Sequence, residues 1–252
     1  MSSQLTFLRP KNLNESRILS WFSLKNAQYV ASNSTIAGLN VGFNSKEHQE
    51  VILANLKALA KETTTNLKNI AIAQQVHKTH VEVVSKGGIY PETDAFVTNT
   101  PGLALMIQVA DCGAILFGDS THKVIGAAHA GWRGAEQGIV PKTVDQMLML
   151  GAKLAHIHVY ISPCISVNAF EVGEEVAQLF PEKFVLREGF NKPHIDLKSY
   201  IAHELMECGI PSKNILKDEG CTVENDQSFY SFRRESTSAG RMAAVIKLNQ
   251  LS

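Results

Sequence analysis

The chain has 252 residues, 44% hydrophobic and 19% charged, which suits one large or two small folded domains with a sizeable core. Lys plus Arg and Asp plus Glu both total 24, so the formal net charge is zero and the basic excess of a nucleic-acid binder is missing. The four cysteines, Cys112, Cys164, Cys208 and Cys221, form no CxxC pair, which excludes a zinc ribbon or thioredoxin-type motif and fits a reducing compartment.

The opening residues, "MSSQLTFLRPKNLNES", carry no apolar core of signal-peptide length, and the first dozen are expected to be loosely held. "ILSWFSL" and "QYVAS" read as strands. Asn44 with Glu47 three residues on resembles a helix N-cap with its capping-box partner, and Ile52, Leu56 and Leu59 recur at helical spacing, so a helix is expected over about 45–62. "NIAIAQQVH" and "VEVV" read as strands. "LALMIQV", "AILFG" and "KVIGAAH" are near-continuous apolar runs, as in strands buried on both faces beneath helices. "VDQMLMLGA" reads as a helix whose regular part Pro141 opens. "HIHVYIS" alternates as a strand, "EVGEEVAQLF" and "IDLKSYIAHELMECG" as helices, "NILKD" and "RMAAVIKL" as closing strands. No repeat or long linker interrupts this order. The expectation is a single domain over 1–252 of α/β (α+β) class, with mixed β-sheets layered with α-helices. No stretch reaches membrane-spanning length, so a cytoplasmic protein with no membrane or nucleic-acid partner is expected.

Three apolar strands run out into a polar side chain: His77 after "AIAQQV", Cys112 in "VADCGAI" and His129 after "VIGAA". Functional residues collect at strand ends in layered α/β proteins. Two imidazoles and a thiolate are good zinc ligands; three protein ligands leave a fourth position open, and a bound zinc would hold Cys112 as thiolate and acidify water in that position. Read blandly, the same residues are hydrogen-bonded histidines and a small core cysteine. Without metal, Cys112 and His129 could form a thiolate–imidazolium pair, for which the adjacent Asp111 faces the wrong way to orient the imidazole. His156 and His158 share a strand face that must be solvent, because Ile157, Val159 and Ile161 take the other; His80 is expected to point away from His77, and His122 to lie exposed in a turn. Near the C-terminus, Arg233, Arg234 and Arg241 offer bidentate grips on phosphate or carboxylate, with only one of Arg233 and Arg234 able to face inward from an extended segment.

In order along the chain, "QQVHKTHV", "ADC", "AAHAGWRG", "SPCISVNAFEVGEEV", "DL" at 196–197 and "CTVENDQSFYSFRRES" followed by "SAGR" resemble the YfiH family, from about Gly38 to Ile246. This family was long labelled polyphenol oxidase (laccase) and is now described as purine nucleoside phosphorylase. The resemblance implies a compact YfiH-like α/β fold and a zinc ion (Cu2+ as an alternative) on His77, Cys112 and His129. It implies phosphorolysis of adenosine, inosine and methylthioadenosine, with adenosine deamination alongside. Cys112, His129 and Arg133 are then the expected catalytic residues, and Asn40, Arg233, Arg234 and Arg241 the expected substrate-binding ones. The partners are a purine nucleoside and phosphate, for a monomer or homodimer. The chain departs from the family pattern at Val109-Ala110, Ala114, Ser162-Pro163 and Asn55-Leu56, the last replacing a common Asn-Arg pair. Gly131 and Gly134 are expected to let "HAGWRG" turn tightly against a small ligand, Trp132 to wall it, and Arg133 to hold the turn or meet an anion. A metal-dependent or cysteine amidohydrolase is the alternative enzyme. A multicopper oxidase would need about ten imidazoles, against nine in the chain.

Overall fold

The computed structural model describes residues 5–14 and 17–250. The first six-stranded sheet runs in the order β1 (Phe7–Leu8), β2 (Ile18–Ser23), β14 (Met242–Leu248), β7 (Ala104–Val109), β3 (Ile70–Gln74), β5 (Gly88–Pro91). The second runs β13 (Ile215–Lys217), β10 (His158–Ile161), β8 (Gly113–Asp119), β9 (Val124–Ala130), β6 (Ala95–Thr98), β4 (Val81–Val83). Both are mixed: β3 is parallel to β5 and β7, β4 to β6 and β10 to β13. A small antiparallel pair, β11 (Val185–Leu186) and β12 (His194–Ile195), stands apart. Six α-helices complete the described residues: α1 (Gln49–Glu62), α2 (Trp132–Glu136), α3 (Ile139–Met149), α4 (Glu174–Ala177), α5 (Leu197–Glu207) and α6 (Phe232–Glu235).

Three apolar clusters fix the layer order. Ile52, Leu56 and Leu59 of α1 pack on Ile72, Met106 and Val245 of the first sheet. Leu105, Ile107 and Ala244 on its other face meet Phe96, Leu116 and Ile125 of the second sheet. Ile115, Phe117 and Val159 on the far side of the second sheet are covered by Val144 and Met147 of α3 and Ile201 and Leu205 of α5. The layers are therefore helix, sheet, sheet, helix. Both sheets are buried on both faces, so their central strands read as unbroken apolar runs rather than alternating ones.

Several local expectations are corrected. "QYVAS" is a turn region bracketed by left-handed Asn26 (φ 51°) and Asn33 (φ 63°), with Val30 exposed, not a strand. Helix α1 starts at Gln49, and Glu47 is no capping-box partner. Its buried carboxylate accepts hydrogen bonds from the backbone of Thr35, Ile36 and His48 and from the Ser34 and Thr35 hydroxyls, pinning the 34–36 loop. Burial raises its pKa, but these donors outweigh burial and bring it down to about 2. Helix α3 begins two residues before Pro141, after left-handed Gly138 (φ 86°), so the proline occupies a first-turn position where its missing N–H costs nothing. "EVGEEVAQLF" supplies only the four-residue α4. Residues 5–12 of the expected loose start are anchored: β1 pairs with β2, Leu5 is buried, and the Asn12 amide reaches the carbonyls of Val159 and Asn214. The first four lie outside the described residues.

Candidate active site

The β8–β9 hairpin places two of the three suspected ligands. Its register pairs Gly113 with Ala130 and Ala114 with His129, so Cys112 and Gly131 face each other just past its open end. His129 lies within β9, one residue short of the end, and is buried. His77 lies beyond β3 in the 75–80 loop, with a left-handed backbone (φ 60°) that His tolerates better than most residues. The ligand atoms of His77, Cys112 and His129 lie within 4.8 Å of one another, and they are the cluster of this kind among the described residues. The two rings meet edge to face at 4.7 Å. The cluster grades from buried His129 through half-buried Cys112 to exposed His77.

Asp94 holds it together. Its carboxylate accepts the Nδ1 proton of His129 at 2.8 Å and the backbone N–H groups of Val76, His77 and Lys78 at 3.2, 3.0 and 2.9 Å. One buried side chain thus fixes the loop carrying His77 and the tautomer of His129, leaving Nε2 to face the cluster; a carboxylate behind a ligating histidine is the usual support of a metal site. The sequence reading missed Asp94 and weighed Asp111 instead. Asp111, itself left-handed (φ 82°), turns to the C-terminal segment, accepting from the Thr222 and Ser231 hydroxyls and the Arg233 backbone.

Among the protein groups alone, burial would raise the Cys112 thiol. The charge of His129 and hydrogen bonds from both imidazoles overcome this and hold it down to about 6. Burial opposes a charged His129, yet the Cys112 thiolate and Asp94 push it up to about 9. Two imidazoles and a thiolate, one imidazole braced from behind, fit a divalent ion with a position left open.

Gly131 is required for space, not for turning. Its backbone is extended (φ −68°, ψ 162°) and caps α2. A Cβ there would stand 2.9 Å from Cys112 Sγ and 3.3 Å from the His77 ring, and one on Gly134 would stand 3.0 Å from the Lys78 carbonyl. The two glycines let α2 settle against the cluster, so "HAGWRG" is a strand end running into a helix rather than a tight turn.

The cluster opens into a cavity of about 410 Å³. Three aromatic rings line it, each with a guanidinium stacked on it: Arg133 over Trp132 at 4.3 Å, Arg233 over Phe170 at 5.6 Å and Arg241 over Phe232 at 5.8 Å. Arg133 is exposed, and beyond Trp132 its guanidinium has no hydrogen-bond or ion-pair partner among the described residues. Arg233 also donates to the carbonyls of Ala169 and Glu171.

Two expected substrate-binding residues stand outside this cavity. Arg234 follows Arg233 in the single turn α6, not in an extended segment, and its guanidinium is used on the carbonyls of Thr222, Val223 and Phe229 and on Glu235. Asn40 is buried, its side chain accepting from Gly42 and Arg241 backbone amides and donating to Ser45, so it shapes the segment carrying Arg241. Of the other histidines, His80 pairs with Glu82. His156 is exposed in a short 3-10 turn before β10, and His122 is bonded to Asp119 in the turn of the β8–β9 hairpin, half-exposed rather than free.

Residues 22–249 match the family described as "Multi-copper polyphenol oxidoreductase laccase". The chain belongs to this family. A Deinococcus radiodurans member named "Purine nucleoside phosphorylase" is 38% identical over 217 residues, 84% of this chain and 83% of its own. "Adenosine deaminase RL5", from an unknown prokaryotic organism, is 29% identical over 200 residues, 73% of this chain and 76% of its own. The crystal structure of the Bacillus licheniformis hypothetical protein YfiH has a TM-score of 0.86 at 27% identity, covering 92% of this chain and 93% of that one. The YfiH resemblance and the mixed α/β fold read from the sequence are both borne out. The relatives' names support an enzyme, and the family's description implies copper where the sequence reading favoured zinc. No helix among the described residues is long and apolar enough to cross a membrane.

Proposed function

We propose that the protein is a zinc-dependent purine nucleoside phosphorylase acting on adenosine, inosine and methylthioadenosine, with adenosine deamination as a second activity of the same site. The observation that carries this reading is the joining of a braced His–Cys–His cluster to a cavity ringed by aromatic–arginine couples. Relatives named for both reactions support it. The cavity volume is in the range that buries a small ligand, and flat apolar walls suit a purine.

His77, Cys112 and His129 would hold the ion, which supplies Lewis-acid chemistry when bound. Asp94 keeps His129 in the ligating tautomer. Phosphorolysis forms a bond from a phosphate oxygen to the anomeric carbon and breaks the glycosidic C–N bond, the electron pair and a proton going to the base. Arg133, whose guanidinium has no acceptor among the described residues, and Arg233 would orient the phosphate. The test is product analysis: with adenosine or inosine, ribose-1-phosphate forms only when phosphate is supplied. Free ribose formed equally well without phosphate makes the enzyme a hydrolase instead.

A second reading rests on the alignment of Asp94, His129 and Cys112, with the thiol held low and the imidazole high. That is the arrangement of a cysteine nucleophile with an oriented base, and it supports a cysteine amidohydrolase. Activity that survives complete metal removal selects it. Oxidation of a polyphenol by copper-loaded protein, without nucleoside turnover, selects the activity in the family's description.

A further inference from the structure

We propose that Gln108 determines specificity by hydrogen-bonding a hydroxyl group of the nucleoside's sugar; this rests on the nucleoside reading above. Gln108 lies near the end of β7, is 9% exposed and lines the cavity. Its backbone is clamped by Gln75, whose side chain accepts from the Gln108 N–H at 2.8 Å and donates to the Gln108 carbonyl at 2.7 Å. This side-chain clamp holds β7 beyond the last β3–β7 pair, Ile72 with Met106, and fixes where the Gln108 side chain starts.

The amide nitrogen of that side chain, Nε2, is buried and unmatched among the described residues. Buried polar groups in native proteins are nearly always satisfied; Gln108 lines the cavity, so a turn about its terminal torsion, which is broad and two-fold, brings Nε2 to a ligand group that completes it. The choice of ligand group follows from the walls. Phe170, Ile165 and Leu197 come from the layer around the second sheet and present apolar faces that suit a purine. Gln75, Gln108 and Arg241 come from the first sheet's strands and their ends and present polar groups. A base stacked on the apolar wall turns its sugar toward the amides. A hydroxyl both donates and accepts, as a carboxamide does, so the two match in either orientation of the amide.

The experiment compares wild type, the near-isosteric Gln108→Met and the shorter Gln108→Asn. Turnover and equilibrium binding, read by tryptophan fluorescence, are measured with adenosine, inosine, 2′-deoxyadenosine and 3′-deoxyadenosine, with melting temperature as the fold control. Wild type should discriminate against one deoxynucleoside by about tenfold or more, because a site built for a hydroxyl rejects the analogue lacking it. Gln108→Met should lose that discrimination, leaving adenosine and the deoxynucleoside nearly equal, while the adenosine-to-inosine ratio stays constant. If Gln108→Met does not fold, a partial loss of the same discrimination in Gln108→Asn is the supporting result. Equal losses on all four nucleosides, or a changed adenosine-to-inosine ratio, overturn the inference while the nucleoside reading stands. Wild-type protein that neither binds nor turns over any of the four overturns both.

Discussion

The two ends of the β8–β9 hairpin carry near-copies of one arrangement. At the open end His77 and His129 meet edge to face at 4.7 Å, and Asp94 holds His129 Nδ1 at 2.8 Å. At the turn His122 and His156 meet edge to face at 5.3 Å, and Asp119 holds His122 Nδ1 at 2.7 Å. A paired imidazole with a carboxylate behind it is therefore not what makes a site. The open end adds a thiol, Cys112, and a cavity; at the turn no third donor joins the pair among the described residues. Asp119 instead closes the turn by accepting the His122 N–H and ties it to the segment before β10 through the Lys153 N–H.

The largest expected contrast is in metal content. Cys112→Ser or His77→Ala should lose most of the bound zinc and lower turnover by about a hundredfold or more, since a three-ligand site has no spare donor. His122→Ala and His156→Ala should change neither, and metal analysis beside turnover on the same preparations checks both ends. Next, Asp94→Asn should lower metal affinity or activity by about 10–100-fold, whereas Asp119→Asn should lower only the melting temperature. Wild-type zinc affinity in Asp94→Asn would show that the brace is purely structural.

Gly131→Ala sharpens the comparison by crowding one end alone. Its backbone angles suit alanine, so the cost is the contact with Cys112 Sγ. Turnover should fall about tenfold or more, because small misplacements at a reacting centre are amplified in rate, with a smaller change in melting temperature. The smallest effect concerns thiol reactivity in metal-stripped protein. The thiolate is the nucleophile, and a lowered pKa moves its appearance to lower pH. Iodoacetamide labelling of Cys112 should therefore rise through about pH 6, while buried Cys164, pushed up to about 12, stays unlabelled. Labelling of Cys112 that rises only above pH 8 would mean that His129 does not stabilise the thiolate.

Much of the site was legible because each ligand interrupts or follows an apolar run. Asp94 was not, because its partners lie 16 to 18 and 35 residues away and nothing local marks it beyond an acid two residues after Glu92 and just ahead of "AFVT". Arg234 and Asn40 have the chemistry of ligand-binding groups, and only the folded chain shows their donors and acceptors used on backbone and neighbouring side chains. The glycines of "HAGWRG" announced a close approach, but sequence does not distinguish a glycine needed for φ from one needed for room. The doubly buried strands were readable from their composition. That one face of each sheet is covered by the other sheet was not, since an apolar face carries no label for its partner.

One ion on His77, Cys112 and His129 is proposed to serve nucleoside chemistry in the adjoining cavity. The most direct measurement follows zinc content and ribose-1-phosphate formation from adenosine plus phosphate through chelation and zinc re-addition. The expected result is about one zinc per chain, activity lost in proportion to zinc removed, and recovery on re-addition to wild type but not to Cys112→Ser. Full activity in protein stripped of metal would contradict it.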